Sequence, residues 1–315
     1  MARVAFVFPG QGSQSVGMLG SWGQDSAVQD VVRRASGALG EDLGRLIAEG
    51  PAGLLEMTVN TQPCMLTAGC AAYAAWSAAG GPVPAMMAGH SLGEYTAWVA
   101  AGAMRLEDAV PLVRFRAQVM QDAVPVGVGT MAAILGLDDQ QVAAACAQAA
   151  QAEPGQVVEA VNFNAPMQVV IAGHCGAVAR ACEFAKALGA KRAIVLPVSV
   201  PFHSRLLAGA AERLRTRLRD VNLGPPSVPV INNVDVTVLT DADAIRDALA
   251  RQAAAPVRWT QIIQAMSQQG ITHVVECGPG KVLTGLTRRI APALTGLAVY
   301  DPATLQQALA AVSNG

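Results

Sequence analysis

Gly89-His90-Ser91-Leu92-Gly93 sets a serine between two glycines at the spacing G-x-S-x-G, the signature of a nucleophile carried on a sharp strand-to-helix turn. The chemistry such a serine serves is acyl transfer through a covalent ester. The glycines answer a backbone need, because a Cβ at either position would drive the incoming strand into the outgoing helix. Upstream, Val83-Pro84-Ala85-Met86-Met87-Ala88 is a short apolar run suited to a buried strand. Downstream, Glu94-Tyr95-Thr96-Ala97-Trp98-Val99-Ala100-Ala101 continues as a helix. Ser91 then stands at a helix N-terminus, where free N–H groups favour developing negative charge. The spacing also arises by chance in a Gly- and Ala-rich chain; the strand before it and the helix after it set this copy apart.

A serine nucleophile needs a base, and the chain holds four histidines. His90 adjoins Ser91, and neighbouring side chains on such a turn point apart. His174 follows a strand of a separate small unit. His273 lies inside the apolar run Ile271-Thr272-His273-Val274-Val275 and reads as structural. His203, in Val200-Pro201-Phe202-His203-Ser204, comes just after a strand end and behind a rigid proline, and is the candidate base. No Asp or Glu stands out to orient it. Asp235 and Asp241 lie downstream in unremarkable contexts, and a backbone carbonyl can fix the tautomer instead.

The oxyanion of an acyl transfer needs two donors, each worth on the order of 3 kcal/mol. The N–H of Leu92, next after the nucleophile, is one. The other is the N–H of Gln11, in the loop Pro9-Gly10-Gln11-Gly12-Ser13-Gln14 that follows a first strand. A dinucleotide reading of that loop fails, because G-x-G-x-x-G would need glycine where Ser15 stands.

Arg105 to Asp122 has helical spacing that puts Ala109, Leu112, Val113, Ala117 and Met120 on one face, with Arg116 among them. Arg114 instead shares a polar side with Gln118 and Gln121. An arginine on an apolar face is costly unless an anion meets it. Two readings stay open: a structural ion pair with Asp or Glu, or a fork for a substrate carboxylate. Phe202, directly before the proposed base, should border the space beside the acyl Cα and leave little room for an α-methyl branch. The alternative is that it only packs in the core.

These groups must be held by a chain of 315 residues, enough for one large domain or two, with 52% hydrophobic content and a net charge of −1. Nothing in that balance points to nucleic acid or an anionic membrane surface. Six cysteines (64, 70, 146, 175, 182 and 277) form no C-x-x-C pair, so reduced thiols in a cytoplasmic protein and no metal site are expected. Met1 to Gly10 lacks the long apolar core of a signal peptide and reads as the first strand. Residues 57–93 carry no charge, yet Gly80-Gly81-Pro82 and Pro84 interrupt them, and a spanning helix needs about 20 apolar residues. A buried helix from Thr61 to Ala79 and then a buried strand are expected, with no membrane partner.

After the linker Val124 to Gly129 the pattern changes. Strands are expected at Met131–Gly136, Val157–Phe163, Gln168–Ala172 and Lys191–Val198, with helices at Asp138–Ala150 and Gly176–Leu188. This β-α-β-β-α-β order is ferredoxin-like. It predicts an inserted small domain over 127–197 and a large α/β domain made of 1–126 and 198–315. Within the latter, Arg213, Arg215, Arg217 and Arg219 spread around a helix and read as a solvated surface, with partner docking as the lesser reading. A strand is expected at Val228–Asn232, and helices from Asp241 through Ala250, ending near Gln252, and from Trp259 to Gln269. Glu276-Cys277-Gly278-Pro279-Gly280-Lys281 is not a phosphate loop, because Val282 follows the lysine; it reads as a strand-turn-helix junction.

Taken together, the chain resembles the malonyl-CoA:acyl carrier protein transacylases of fatty acid synthesis and the acyltransferase domains of polyketide synthases. The resemblance runs nearly end to end. It rests on Phe8-Pro9-Gly10-Gln11-Gly12-Ser13-Gln14, Gly89 to Tyr95, Arg116, Val200 to Ser204, Gln252 with Pro256-Val257-Arg258-Trp259, and Glu276 to Gly280. It implies a hydrolase-like large domain with a parallel sheet and a ferredoxin-like insertion. It implies that Ser91 is acylated, that His203 is the base, that the backbone carbonyl of Gln252 orients His203, and that Arg116 holds the malonyl carboxylate. Gln11 and Leu92 would supply the oxyanion hole, and an aromatic at Phe202 goes with malonyl over methylmalonyl. The implied reaction is ping-pong, from malonyl-CoA to Ser91 and then to the phosphopantetheine thiol of an acyl carrier protein, with coenzyme A thioesters as substrates and no permanently bound cofactor. An acyl hydrolase that clears wrongly loaded carriers is the alternative, and Arg116 argues against it. A catalytically silent docking module would have no reason to keep Ser91, His203 and the Gln11 loop together.

Overall fold

A computed structural model describes residues 2–198 and 200–313. Met1, expected to begin the first strand, Ser199, in the segment returning to His203, and the last two residues lie outside the described residues. The first half runs β1 (Val4–Phe8), α1 (Ser26–Leu39), α2 (Leu43–Glu49), α3 (Ala52–Glu56), α4 (Thr58–Ala78), β2 (Met86–Gly89), α5 (Leu92–Ala100) and α6 (Leu106–Asp122). The middle is β3 (Gly129–Leu135), α7 (Asp139–Gln151), β4 (Val158–Ala165), β5 (Gln168–His174), α8 (Cys175–Ala187) and β6 (Arg192–Val195). The last part is α9 (Ala208–Leu218), β7 (Val230–Ile231), α10 (Ala242–Gln252), α11 (Trp259–Gln268), β8 (His273–Cys277), α12 (Val282–Ile290), β9 (Thr295–Val299) and α13 (Pro302–Ser313).

Two sheets result. The first has the order β7-β2-β1-β8-β9 with every pair parallel. Its central strand β1 is buried along its whole length, as a parallel strand covered on both faces must be. The uncharged stretch folds as α4, which packs against α1, α5 and α6. No described helix is long and apolar enough to cross a membrane. The second sheet has the order β4-β5-β3-β6 with every pair antiparallel. Numbered within its own unit that order is 2-3-1-4, the ferredoxin-like arrangement. Helices α7 and α8 cover one face of it. The other face presents Met131, Val161, Val170 and Ala172 to Phe202, Leu196 and Val198. The edge strand β4 is tied to the larger body: Phe163 N–H donates to Val257 O (3.0 Å) and Val257 N–H to Val161 O (2.9 Å).

Prolines account for the largest differences in strand limits; the ends of β3, β4 and β5 lie within two residues of those expected. The strand expected from Val83 starts at Met86, with Val83 76% exposed; Pro84 has no N–H, and the first link is Ala85 N–H to Val4 O at 2.8 Å. The strand expected over Val228–Asn232 shrinks to Val230–Ile231 behind Pro229. The strand expected to reach Val198 ends at Val195, just before Pro197. The buried helix begins at Thr58, three residues ahead of the expected Thr61.

Candidate active site

Strands β1 and β2 lie side by side with Phe8 opposite Gly89. The loop after β1 and the turn after β2 therefore leave the sheet together at the carboxyl ends of parallel strands, where open α/β sheets bind ligands. Ser91 sits in that turn at φ 52°, a left-handed conformation costly for a non-glycine residue. Its glycine neighbours are forced by space. A Cβ on Gly89 would lie 1.8 Å from the Gly93 carbonyl carbon, and one on Gly93 would lie 2.0 Å from the Phe8 oxygen.

His203, also at positive φ (66°), is buried beside Ser91. Its Nε2 is 2.7 Å from Ser91 Oγ, and its Nδ1 is 2.8 Å from the backbone oxygen of Gln252. A carbonyl only accepts, so the Nδ1 proton is fixed there and Nε2 is left free to accept from the serine hydroxyl. Burial first, and then the charge of Arg116, push the imidazole down to about 3. It is therefore neutral across the physiological range and able to take a proton.

Arg116 is 1% exposed. Nη1 donates to Gln62 Oε1 (2.7 Å), while Nη2 donates to Gln252 Oε1 (2.9 Å) and Ser91 Oγ (3.2 Å). The guanidinium lies 5.3 Å from the Tyr95 ring centroid. Among the described residues no carboxylate comes within 4.0 Å of it, whereas Arg114 pairs with Glu41 at 2.6 Å. The structural ion pair is thus absent, and a buried cation with neutral partners faces the hydroxyl of Ser91. Burial lowers its pKa from the ordinary arginine value.

A cavity of about 140 Å³ opens over these groups and is lined by Gln11, Ser91, Leu92, Arg116, Phe202 and His203 among others. Leu92 is the first residue of α5, where N–H groups have no intrahelical acceptor. Phe202 stands between this cavity and a second one of about 240 Å³ that also touches Gln11 and Met57. The remaining histidines are engaged elsewhere. His174 Nδ1 accepts from Val157 N–H (2.9 Å), and His273 Nδ1 is 2.9 Å from Thr272 Oγ1. His90 bonds Asn164 Oδ1 at 2.8 Å, and it too lines the cavity. Among the described residues no cluster of three or more His, Cys, Asp or Glu could hold a metal.

Four further side chains complete the framework. Asn233 accepts from Ser91 N–H (2.8 Å) and donates to Gly89 O (2.7 Å), which clamps the turn. Glu94, fully buried, accepts from Asn233 N–H (2.9 Å) and Gln252 Nε2 (2.8 Å). Gln62 holds Arg116 from α4. The Gln252 side chain was not foreseen: Nε2 also donates to Ser91 O at 2.9 Å. Only Glu94, an acid in the first turn of an otherwise apolar helix, offered a clue. The Glu276 carboxylate serves elsewhere, accepting from Thr284 N–H (2.7 Å) at the start of α12.

Residues 5–292 match the family model described as an acyl transferase domain. The chain is 54% identical over 310 residues to the malonyl CoA-acyl carrier protein transacylase of Escherichia coli K12, covering 98% of this chain and 99% of that one. The crystal structure of an acyl-carrier-protein S-malonyltransferase from Burkholderia pseudomallei 1710b superposes with a TM-score of 0.96 at 60% identity, covering 98% and 100% of the two chains. A malonyl-transacylase solved in complex with a type II PKS acyl-carrier protein gives a TM-score of 0.96 at 47% identity, covering 98% and 100%.

Proposed function

Because the chain belongs to the acyl transferase family, we propose that it moves a malonyl group from malonyl-CoA to the thiol of an acyl carrier protein through an ester on Ser91. His203 Nε2 takes the Ser91 hydroxyl proton as Oγ attacks the thioester carbonyl. The N–H groups of Gln11 and Leu92 hold the oxyanion, and Arg116 grips the far carboxylate. Collapse breaks the C–S bond, and the imidazolium returns its proton to the departing coenzyme A sulfur. The carrier's phosphopantetheine thiol then enters, His203 takes its proton, and the same steps run in reverse. Gln252 acts through its backbone oxygen, which keeps His203 in the accepting tautomer. The reading needs no resident cofactor, only the thioester substrate. It takes 127–197 as an inserted domain that roofs the acyl cavity and 1–126 with 198–315 as the catalytic body. Six free cysteines fit a cytoplasmic enzyme. Carriers of fatty acid and of polyketide synthesis both fit.

The observation that carries this reading is Arg116, buried with no carboxylate in direct contact among the described residues and 3.2 Å from Ser91 Oγ. A buried charge left unpaired is costly, and a substrate carboxylate is the partner that would justify it. A hydrolase clearing misloaded carriers has no use for such a group. Mixing the protein with malonyl-CoA should give a covalent malonyl adduct by intact mass, and Ser91→Ala should give none. An adduct that persists in Ser91→Ala would refute the assignment of the nucleophile.

A further inference from the structure

Glu94 is the one carboxylate in the framework beneath Ser91, and its place in the hydrogen-bond order is specific. Its Oε2 accepts from Gln252 Nε2 at 2.8 Å, and Oε1 of the same amide accepts from Arg116 Nη2 at 2.9 Å. A carboxylate accepts and a guanidinium donates, so the amide has one allowed orientation, and it links the two charges as a polarised bridge. All three side chains are buried. The remaining contacts of Glu94 are neutral donors, Asn233 N–H (2.9 Å) on Oε2 and Trp98 Nε1 (3.4 Å) on Oε1. The helices and strands packed on α5 are α4, α6, β1 and β2. Of these α4, β1 and β2 carry no charged residue, and α6 contributes Arg116. Tyr95, on the same helix, is pushed well above the usual phenol range by burial and stays neutral. Glu94 therefore has one cation to answer, and a malonyl group on Ser91 would bring a second anion to that cation.

We propose that Glu94 is a proton-coupled counter-ion to Arg116: when the malonyl carboxylate reaches Arg116, Glu94 takes a proton from solvent, and it releases the proton when malonyl leaves for the carrier. The inference rests on malonyl transfer through Ser91. It adds that each loading event carries a proton with it and that acetyl loading, which brings no carboxylate, does not. Burial already lifts the Glu94 carboxyl to about 7, so the group is poised to change state near neutrality. The sign is fixed. A new anion near Arg116 raises the Glu94 pKa further, so the loaded enzyme binds more protons than the empty one, and loading of malonyl is favoured as pH falls through 7 to 8. His203, held at about 3, does not titrate in that window.

The test is proton uptake per adduct, read with a pH indicator in weak buffer near pH 7.5 while intact mass counts the ester. Coenzyme A is released with either ester, so its thiol contributes equally to malonyl and acetyl runs. With a rise of about one unit on loading, wild type should take up about half a proton per malonyl adduct and none per acetyl adduct. Glu94→Gln, which keeps an acceptor for Gln252 but cannot titrate, should take up none with either. Malonyl adduct without uptake, equal uptake with acetyl, or unchanged uptake in Glu94→Gln overturns the inference while leaving malonyl transfer intact. Absence of any wild-type malonyl adduct overturns malonyl transfer and this inference with it. If Glu94→Gln does not fold, the wild-type loading equilibrium decides. The ratio of malonyl to acetyl loading constants should rise about tenfold from above pH 9 to below pH 6 for each unit of pKa rise, and a flat ratio overturns the inference.

Discussion

Replacing Arg116 with methionine should separate malonyl from acetyl chemistry, and the size of the effect follows from its contacts. Methionine fills much of the same volume without a charge. The guanidinium donates to Gln62, Gln252 and Ser91 and, among the described residues, to no carboxylate. With malonyl bound it gains a desolvated, charge-assisted partner, and truncating one side of such a pair costs about 2–5 kcal/mol. At 1.4 kcal/mol per tenfold, kcat/KM for malonyl-CoA should fall by roughly 30- to 3,000-fold. Acetyl-CoA lacks the carboxylate. It loses only the long 3.2 Å bond to Ser91 Oγ, worth about 1 kcal/mol or less, so its loss should stay within about fivefold. Stability should change little. Two amide oxygens lose a donor at about 1–3 kcal/mol each, and removing an unpaired buried charge offsets this by an amount of the same order. Single-turnover mixing with each ester, read by intact mass, measures both rates, and thermal unfolding checks the fold. Equal losses for malonyl and acetyl in a folded variant would show that Arg116 is structural and would refute the carboxylate reading.

His203→Ala should slow acylation by about 10²–10⁴-fold with the fold intact, while His174→Ala and His273→Ala leave turnover unchanged; a folded variant of either with a comparable loss would reassign the base. Because His203 is pushed down to about 3, its neutral form persists well below neutrality, so acetyl loading should be flat between about pH 5 and 7. An inflection near 6.5 in that profile would contradict a desolvated base. Phe202→Ser should lower the preference for malonyl over methylmalonyl, since one methyl in a fitted pocket is worth about 1–3 kcal/mol or roughly 10–200-fold. Competition between the two esters reads the ratio, and an unchanged ratio in a folded variant would leave Phe202 a packing residue.

How much of this was legible in the chain depends on whether the signal is local. The turn at Ser91 was legible because steric need writes glycine at fixed offsets. Arg116 was legible because a charge on an apolar helical face breaks the 3.6-residue period, though the period could not say whether its partner was a protein acid or a substrate. The largest slips in strand limits fall where proline withholds a ladder donor. Helices α1, α2, α3 and α13 and strand β9 drew no expectation: α2, α3 and β9 are too short for a period to show, α13 is alanine-rich, and α1 drew none although Val28, Val31 and Ala35 give it an amphipathic spacing. The amides were the deeper gap. Gln62, Asn233 and the Gln252 side chain have neither charge nor spacing to mark them, and their value comes only from neighbours 19 to 161 residues away.

The choice of a carbonyl in place of a carboxylate behind His203 has an electrostatic reason that ties these residues together. An Asp or Glu at Nδ1 would add a permanent anion close to Arg116. It would compete for the guanidinium and repel the malonyl carboxylate, by about 2 kcal/mol for like charges about 7 Å apart at an effective dielectric of 20. That is more than tenfold in loading. The Gln252 oxygen fixes the same tautomer without the charge, at the cost of a less basic imidazole, which burial and Arg116 hold at about 3. On the proposed reading, the substrate corrects this in part. Once its carboxylate answers Arg116, the field that depresses His203 is reduced, and the base strengthens when the ester that needs it is in place. Glu94, one amide further away and lifted to about 7, is the only acid of this framework, and it lies where its charge can be surrendered. On this reading the site keeps a cation for an anion that arrives with the substrate, and uses neutral groups where a permanent negative charge would compete for it.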